Sequence, residues 1–256
     1  MYIDTHAHLT DEQLSPRVNE VVDGWRECGV GLVINIGYSL ESSKKSAYIA
    51  QNTQDVYFMA GIHPDDAENV TDDALCEIEQ LATNKKCVAI GEIGLDYHYG
   101  EDRQTQMVAF EKQLALAYKL GLPVSIHARD CTADMLAVVE KWHKKLKGIV
   151  LHCYSMGAES AKQFVKYGCY FAFGGAITFK NNKQIYEVAK VVPADRLLTE
   201  TDCPYMAPTP YRGKVNEPKY IPYILAKLAE LYGMEDARMQ EIIKENKLKV
   251  FDRIKL

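Results

Sequence analysis

Eight short apolar runs recur along the chain, with segments of helical periodicity between them. The runs are rich in β-branched residues and almost continuously apolar, which is typical of parallel strands covered by helices on both faces. They cover residues 1–4, 31–37, 56–62, 87–91, 122–127, 148–153, 169–174 and 196–201. Eight strand–helix units in 256 residues predict an α/β fold, a TIM-like (β/α)8 barrel, with one domain over 1–256.

Two of the segments between the runs have clear helical periods. Residues 103–120 and 219–232 place apolar side chains at helical spacing, and we expect a last helix at about 236–251. No Gly-x-Gly-x-x-Gly follows a strand-like run, which disfavours the open dinucleotide-binding sheet. A long irregular stretch, 204–218, follows the last run. In a barrel, a loop of that length is usually functional.

Many of the apolar runs end in a residue that can bind a metal ion. The residues at these ends are His6, His8, Glu92, His127, His152, Glu200 and Asp202. His6 and His8 are two positions apart, so on a strand their side chains point to the same face. The C-terminal ends of barrel strands form one rim, and that rim carries the chemistry of barrel enzymes. The pattern therefore predicts a metal site at this rim.

The predicted ligands are imidazoles and carboxylates, a set that suits zinc, manganese or magnesium. The set is His6, His8, Glu92, His127, His152 and Asp202. A tetrahedral zinc needs only four ligands, so this set predicts two divalent ions about 3.5–4 Å apart, with Glu92 between them. Paired ions lower the pKa of a bound water and stabilise charge on the attacked centre. Asp202 is the candidate for moving the proton, so Glu92 and Asp202 are the predicted catalytic residues.

Composition narrows the setting of this site. The seven cysteines are scattered and form no C-x-x-C pair, which indicates buried thiols in a reducing compartment rather than a thiolate metal site. Because the net charge is −5, a nucleic-acid substrate would have to be met by bound metal ions and a few local cations. No run approaches the ~20 apolar residues of a membrane span, and no leader is evident. We expect a cytoplasmic protein with no membrane partner and no obligate protein partner.

Seven motifs in chain order carry a resemblance to a known family. They are His6-Ala7-His8, Gly61-Ile62-His63-Pro64, Gly91-Glu92-Ile93-Gly94-Leu95-Asp96-Tyr97, His127-Ala128-Arg129, His152-Cys153-Tyr154-Ser155, Gly174-Gly175-Ala176-Ile177-Thr178-Phe179 and Glu200-Thr201-Asp202-Cys203-Pro204-Tyr205. With Arg212-Gly213 and Asn216-Glu217-Pro218, they resemble the signatures of TatD-type metal-dependent deoxyribonucleases, which are amidohydrolase-like barrels. The resemblance implies metal-dependent hydrolysis of DNA, commonly as a 3′→5′ exonuclease. It also implies metal binding by the six predicted ligands.

One departure from the family pattern stands beside a predicted ligand. After His152, Met156 replaces a glycine at a position where the loop would need special backbone angles or a close approach to substrate. Gly157 follows immediately and is a candidate to supply that freedom. The departure bears on substrate preference and leaves the predicted metal site intact.

Several residues are candidates for weaker roles. His63 is predicted either to support a metal ligand or to bind substrate at the rim. Arg129 and Arg212 are predicted to bind substrate, because their planar fork suits a phosphate. Glu200 is predicted to orient a metal ligand by contacting it without binding the metal itself. For Asp96 the sequence leaves a loop-capping role and a substrate role equally open. Tyr154, Tyr205 and Tyr211 are candidates for stacking on an unpaired base.

Three functions compete. The first is a divalent-metal phosphodiesterase that attacks DNA, at single-stranded or frayed ends, with a metal-activated hydroxide. The second is an amidohydrolase acting on a carbon-centred ester, lactone or amine substrate, since the same ions can polarise a carbonyl. The third is a binding scaffold without catalysis. Arg129 and Arg212 favour the phosphate substrate, and the complete ligand set opposes the scaffold.

Overall fold

The computed structural model describes residues 1–98 and 102–255, and its eight parallel strands follow one another around a barrel in chain order. Each strand pairs with its sequence neighbour. The strands are β1 Tyr2–Ala7, β2 Val30–Ile36, β3 Val56–Ala60, β4 Cys87–Asp96, β5 Val124–Arg129, β6 Ile149–Leu151, β7 Tyr170–Phe173 and β8 Leu197–Thr199. The predicted TIM-like (β/α)8 class is confirmed.

Helices alternate with these strands on the outside of the barrel. They are α1 Val18–Glu27, α2 Leu40–Asn52, α3 Asp72–Ala82, α4 Arg103–Leu120, α5 Thr132–Trp142, α6 Ala158–Lys166, α7 Lys183–Ala189, α8 Ile221–Tyr232 and α9 Asp236–Val250. Short 3-10 turns at Ser15–Arg17, Pro64–Asn69, Gly175–Thr178, Ala194–Arg196 and Pro218–Tyr220 complete the order. No helix of the described residues is long and apolar enough to cross a membrane.

The predicted boundaries are accurate for the helices and less so for the strands. Helix α4 covers the predicted range 103–120, while α8 begins after a 3-10 turn that takes up the start of the predicted 219–232. Strand β1 continues beyond the predicted 1–4 and includes His6. Strand β8 is shorter than the predicted 196–201 because the chain leaves the sheet after Thr199. The residues that follow β8 turn toward β1 and help to close the barrel.

The barrel closes along a seam between β1 and the end of β8. Thr5 Oγ1 donates to the Thr199 carbonyl at 3.0 Å, and Thr199 Oγ1 donates to the Ile3 carbonyl at 2.7 Å. Further along, the backbone N–H of Asp202 donates to the His6 carbonyl at 2.9 Å. The seam therefore brings residues separated by about 195 positions in the chain, such as Thr5 and Thr199, into direct contact.

The two largest apolar clusters of the described residues hold the barrel together. The larger one lies between the strands and the surrounding helices, and buries side chains such as Trp25 and Phe110. The smaller one contains side chains from near the starts of most strands, including Ile3, Leu32 and Val88, together with Val250, Phe251 and Ile254. The end of α9 and the residues after it thus close the end of the barrel opposite to the rim formed by the C-terminal strand ends.

Candidate metal centre

The predicted ligands meet at the C-terminal rim, beside an open cavity of about 780 Å³. His8, Glu92, His127, His152 and Asp202 line this cavity. His6 lies beneath it, fully buried, with its ring stacked on that of His152 at a centroid distance of 3.9 Å. The structure therefore brings together all the side chains that the sequence predicts as ligands.

Glu92 lies between two sets of imidazoles. Its Oε1 is 2.7 Å from Nε2 of His152 and 3.0 Å from Nδ1 of His127. Its Oε2 faces the other way, 3.4 Å from Nε2 of His6 and 3.7 Å from Nε2 of His8. One carboxylate thus presents one oxygen to each pair of rings. This is the arrangement that the predicted bridging position of Glu92 requires.

Asp202, in the turn after β8, approaches His6 and His8. Its Oδ1 is 3.2 Å from Nε2 of His8 and 3.8 Å from Nε2 of His6. The two ring nitrogens are themselves 3.3 Å apart. Four donor atoms, from His6, His8, Glu92 and Asp202, therefore surround one small volume on the β1 side of the site.

The backbone shortly after three strands adopts an uncommon conformation, at Asp130 after β5, Cys153 after β6 and Asp202 after β8. Asp202 has a φ of 56° and Cys153, directly after His152, has a φ of 43°. A residue with a side chain pays roughly 1–2 kcal/mol in this left-handed region, so local contacts must compensate. The Cys153 N–H donates to Oε1 of Glu200 at 2.5 Å, and the Asp202 N–H donates to the His6 carbonyl. Such strain concentrates at functional sites.

Glu200 lies where the sequence predicts a residue that orients a ligand. Its side chain is fully buried, and besides the Cys153 bond its Oε1 is 3.6 Å from Nδ1 of His152. It therefore contacts the turn that carries His152 from behind and does not line the cavity. The role itself stays a prediction.

Asp96 is the polar residue whose part in the site the sequence analysis underestimated. Its Oδ1 accepts the His98 N–H at 2.9 Å, which is the capping role that was considered. Its Oδ2 also lies 2.9 Å from Nε2 of His127 and so directs Nδ1 of that ring toward Glu92. The spacing of the two carboxylates in the sequence could have indicated this role. Asp96 follows Glu92 by four residues on β4, and even spacing puts both side chains on one strand face.

His63 lies closer to the predicted ligands than its predicted substrate role requires. Its Nε2 is 3.7 Å from Oε1 of Glu92, and its ring meets His127 edge-on at 4.4 Å. Its Nδ1 accepts the Asp65 N–H at 3.2 Å and lies 3.4 Å from Oδ2 of the same residue, so Nε2 is the ring nitrogen that faces the cavity. His63 is therefore placed to donate a hydrogen bond into the site.

The two predicted substrate arginines lie in different places. Arg129, at the end of β5, lines the cavity. Arg212 is exposed and stacks over the Phe179 ring at 4.1 Å, outside the cavity lining. Among the described residues, Arg129 is the single arginine or lysine that lines the cavity. The acidic residues that line it are Asp65, Glu92, Asp96 and Asp202. Its contact with substrate stays a prediction, as does that of Arg212.

The three tyrosines considered for base stacking also differ. Tyr205 is half exposed at the cavity mouth, and Oδ2 of Asp11 holds its hydroxyl at 2.9 Å. Tyr154 is buried against Phe171 and belongs to the core. Tyr211 already stacks on Tyr220 at 4.3 Å. Of these three tyrosines, Tyr205 is the one that lines the cavity.

The Met156 departure has a simple structural outcome. Met156 is buried in the main core, and it is absent from the residues with positive φ. Gly157 has a φ of −73° and precedes α6. Positions 156 and 157 therefore need no special backbone angles, and the left-handed residue of the loop between β6 and α6 is Cys153.

The charges of the site are strongly coupled. Burial alone would raise the pKa of Glu92, but His152, His6 and His63 together hold that pKa well below its usual range. Burial would likewise lower the pKa of His152, yet Glu92 and Glu200 raise it well above the ordinary histidine value. Burial opposes ionisation of Asp202 too, and the hydrogen bond from His8 outweighs it and lowers the pKa. Glu92 and Asp202 are therefore ionised at neutral pH.

These donors fit divalent cations. Ligand atoms lie within 4.8 Å of one another in three trios, and imidazole nitrogens with carboxylate oxygens are the donors that zinc, manganese and magnesium accept. The trios are His6–His152–Asp202, His6–His8–Glu92 and His63–Glu92–His127. Divalent ions there would also offset the acidic lining of the cavity.

Comparison with known proteins identifies the family of this chain. Residues 3–252 match the model of the family described as TatD related DNase. The uncharacterized metal-dependent hydrolase YabD of Bacillus subtilis is 38% identical over 98% of this chain and 99% of its own length. The 3′-5′ ssDNA/RNA exonuclease TatD of Cronobacter sakazakii is 33% identical over 97% of both chains. The crystal structure of YJJV, a TatD homolog from Escherichia coli, superposes with a TM-score of 0.91 at 29% identity over 98% of both chains.

Proposed function

This chain belongs to the TatD related DNase family of metal-dependent hydrolases, and we propose that it hydrolyses phosphodiester bonds of DNA as a 3′→5′ exonuclease. Single-stranded or frayed ends are the proposed substrates. A relative 33% identical over nearly its whole length is named a 3′-5′ ssDNA/RNA exonuclease, which supports this choice. The proposal uses His6, His8, Glu92, His127, His152 and Asp202 to hold two divalent ions of zinc, manganese or magnesium.

The observation that carries the proposal is the position of Glu92 between two imidazole sets. One oxygen faces His6 and His8, and the other faces His127 and His152. When bound, two ions would supply positive charge for the phosphate oxygens and acidify a water. Phosphoryl transfer needs mainly positioning and charge stabilisation, so a site built of these groups suits it.

The remaining residues of the cavity orient the substrate. Arg129 lines the cavity and is proposed to hold a phosphate of the scissile or neighbouring link through its planar fork. His63 is proposed to donate from Nε2 to a phosphate oxygen. Asp202 is ionised at neutral pH, so its carboxylate is available to accept the proton of the attacking water. Tyr205, at the cavity mouth, offers a ring to the terminal base.

The direct test removes the charge of the two proposed catalytic carboxylates. We expect Glu92→Gln and Asp202→Asn to lower cleavage of 3′-end-labelled single-stranded DNA by roughly 10³-fold or more, because both substitutions weaken metal binding and Asp202→Asn also removes a proton acceptor. Metal content by mass spectrometry should fall in Glu92→Gln. Glu68→Gln, an exposed glutamate outside the cavity, serves as the matched control. Full nuclease activity in either purified site variant would overturn the assignment.

A substrate panel separates phosphate from carbon chemistry. Wild-type protein is assayed with single-stranded DNA, duplex DNA, a phosphodiester model compound, an ester and a lactone. We expect turnover of the first and third, and a KM for DNA about 10-fold higher in Arg129→Lys, because lysine lacks the two-pronged contact. Turnover of only the ester or lactone, with KM unaffected in Arg129→Lys, would favour the amidohydrolase alternative.

A further inference from the structure

A buried aspartate outside the proposed ligand set links β1 to the residues that follow β8. Asp4, on β1, is fully buried. Its Oδ1 accepts the backbone N–H of Thr201 at 2.9 Å and that of His6 at 3.2 Å. Its Oδ2 accepts the hydroxyl of Thr201 at 2.5 Å. The Asp4 side chain thus contacts His6, which is a proposed ligand, and Thr201, which directly precedes Asp202.

The contacts of Thr201 extend this link around Asp202. While its hydroxyl donates to Asp4, its Oγ1 accepts the Cys203 N–H at 3.3 Å. Asp202 therefore lies between Thr201, which hydrogen-bonds Asp4, and Cys203, which hydrogen-bonds Thr201. This matters because Asp202 holds a φ of 56°, a conformation that costs a residue with a side chain roughly 1–2 kcal/mol. Without the hydrogen bonds between Asp4 and Thr201, we expect residues 201–203 to relax toward a conformation in which Asp202 has an ordinary negative φ.

Relaxation of that turn would change the spacing of the proposed ligands. Oδ1 of Asp202 now lies 3.2 Å from Nε2 of His8 and 3.8 Å from Nε2 of His6, close enough for one cation to contact all of these atoms. Metal–ligand distances tolerate deviations of only about 0.2 Å. A small displacement of residues 201–203 relative to β1 is therefore enough to weaken metal binding.

We propose that Asp4 is a positioning residue, which sets the spacing between the β1 histidines and Asp202 and thereby the affinity of the centre for its metal ion. It does so through Thr201, with no contact to metal or substrate. The inference rests on the proposed metal centre and adds to it a residue that determines its geometry.

The test compares substitutions that cut this link with one that cuts a different hydrogen bond of the same seam. Asp4→Asn keeps an oxygen for the two N–H donors and replaces the acceptor of the Thr201 hydroxyl by an amide donor. Thr201→Val removes the hydroxyl from the other side, and Thr201→Ser keeps it. Thr5→Val, the matched control, deletes the buried hydrogen bond from Thr5 to the Thr199 carbonyl, which has no connection to the 201–203 turn.

Binding of Co²⁺ and Zn²⁺ to metal-free protein is measured by calorimetry, and the melting temperature of each metal-free variant is measured in parallel. We expect Asp4→Asn and Thr201→Val to weaken binding about 10–100-fold, the range seen when residues behind metal ligands are replaced. Thr201→Ser and Thr5→Val should bind within about 2-fold of wild type. The Asp4→Asn/Thr201→Val double variant should be little worse than Thr201→Val alone, because both cut the same link.

Two outcomes separate the inference from the proposal beneath it. If wild-type protein binds neither ion, the metal centre itself is refuted. If wild type binds and Asp4→Asn and Thr201→Val bind equally well, the positioning role of Asp4 is overturned while the centre stands. An equal loss in Thr5→Val would also overturn it, because the effect would then belong to the seam in general. If Asp4→Asn does not fold, the metal affinity of Thr201→Val serves as the test.

Discussion

The two ends of the barrel are built from opposite kinds of side chain. At the C-terminal rim, Glu92, Asp202, His6 and His8 are almost fully buried, although burial opposes the charge that each carboxylate carries. At the opposite end, Val250, Phe251 and Ile254 belong to an apolar cluster with strand residues such as Ile3, Leu32 and Val88. The difference indicates that the rim is organised for binding and the other end for stability.

The physical reason lies in the cost of burying charge. Ionised groups lose hydration when they are buried, and only paired groups recover it. At the rim, carboxylates pair with imidazoles, and the donor atoms of both suit a cation. We therefore expect bound ions to add to the stability of the fold. Apolar contacts at the opposite end need no such partner. Perturbing the two ends should therefore affect different observables.

Metal removal should have the largest effect and should act on the rim. After chelation we expect nuclease activity to fall by roughly 10³-fold or more and to return on adding zinc, manganese or magnesium. The circular dichroism spectrum should stay unchanged, because the apolar cluster at the other end does not depend on metal, while the melting temperature falls. Loss of secondary structure on chelation would show that the two ends are not independent.

Truncating the apolar end should have the reverse result. Phe251 is fully buried, so Phe251→Ala removes a large side chain and leaves a cavity. We expect the free energy of unfolding in urea to drop by about 3–5 kcal/mol. In the folded protein kcat should be unchanged and the metal content normal. Tyr48→Ala, at a residue 68% exposed, is the aromatic control and should change stability by less than about 0.5 kcal/mol. If kcat of folded Phe251→Ala also falls, the claim that the apolar end contributes to stability and not to catalysis is wrong.

The smallest expected effect concerns a buried cation on α9. Lys247 is fully buried, and its Nζ has no hydrogen-bond partner in the described part of the chain. Burial, and then the nearby Lys244, lower the pKa of Lys247 from 10.5 to about 8. The unfolded chain therefore binds more protons than the folded one between these values, so stability should rise as the pH increases from 8 toward 10.5.

Lys247→Met removes this titration. We expect the variant to be more stable than wild type at pH 7 by about 1–3 kcal/mol, with the gap closing as the pH rises toward 10. Urea unfolding at several pH values measures it, and Lys249→Met, an exposed position on the same helix, is the control. A Lys247→Met protein that is less stable at pH 7 would contradict the lowered pKa. Nuclease activity should not change, because the substitution lies on α9 and not in the cavity.

Much of the fold followed from periodicity. Apolar strand runs separated by helical segments predict a barrel whatever the details of packing, and helix α4 has the predicted bounds. The strand ends were harder to place. Strand β8 stops at Thr199 because the chain then turns toward β1, and that turn depends on contacts with Asp4 that no local pattern reveals.

The site followed from chemistry and spacing to a similar extent. The i, i+2 spacing of His6 and His8, and ligand-type residues at strand ends, were sufficient to identify side chains that meet in space. Arg129 and Arg212 were equivalent in the sequence, yet only Arg129 lines the cavity, because the loop after β8 places Arg212 over Phe179. Asp96 and His63 acquired their contacts with His127 and Glu92 from the packing of β4 against its neighbours.

The sequence by itself determined the barrel, the kinds of donor atom and the rim at which they gather, because the periods of strands and helices and the chemistry of side chains are local properties. Tertiary structure alone decided which oxygen of Glu92 faces which histidines, and which side chains hold Asp202 beside His8. Those distances depend on residues far apart in the chain, across a seam that forms only when the barrel closes.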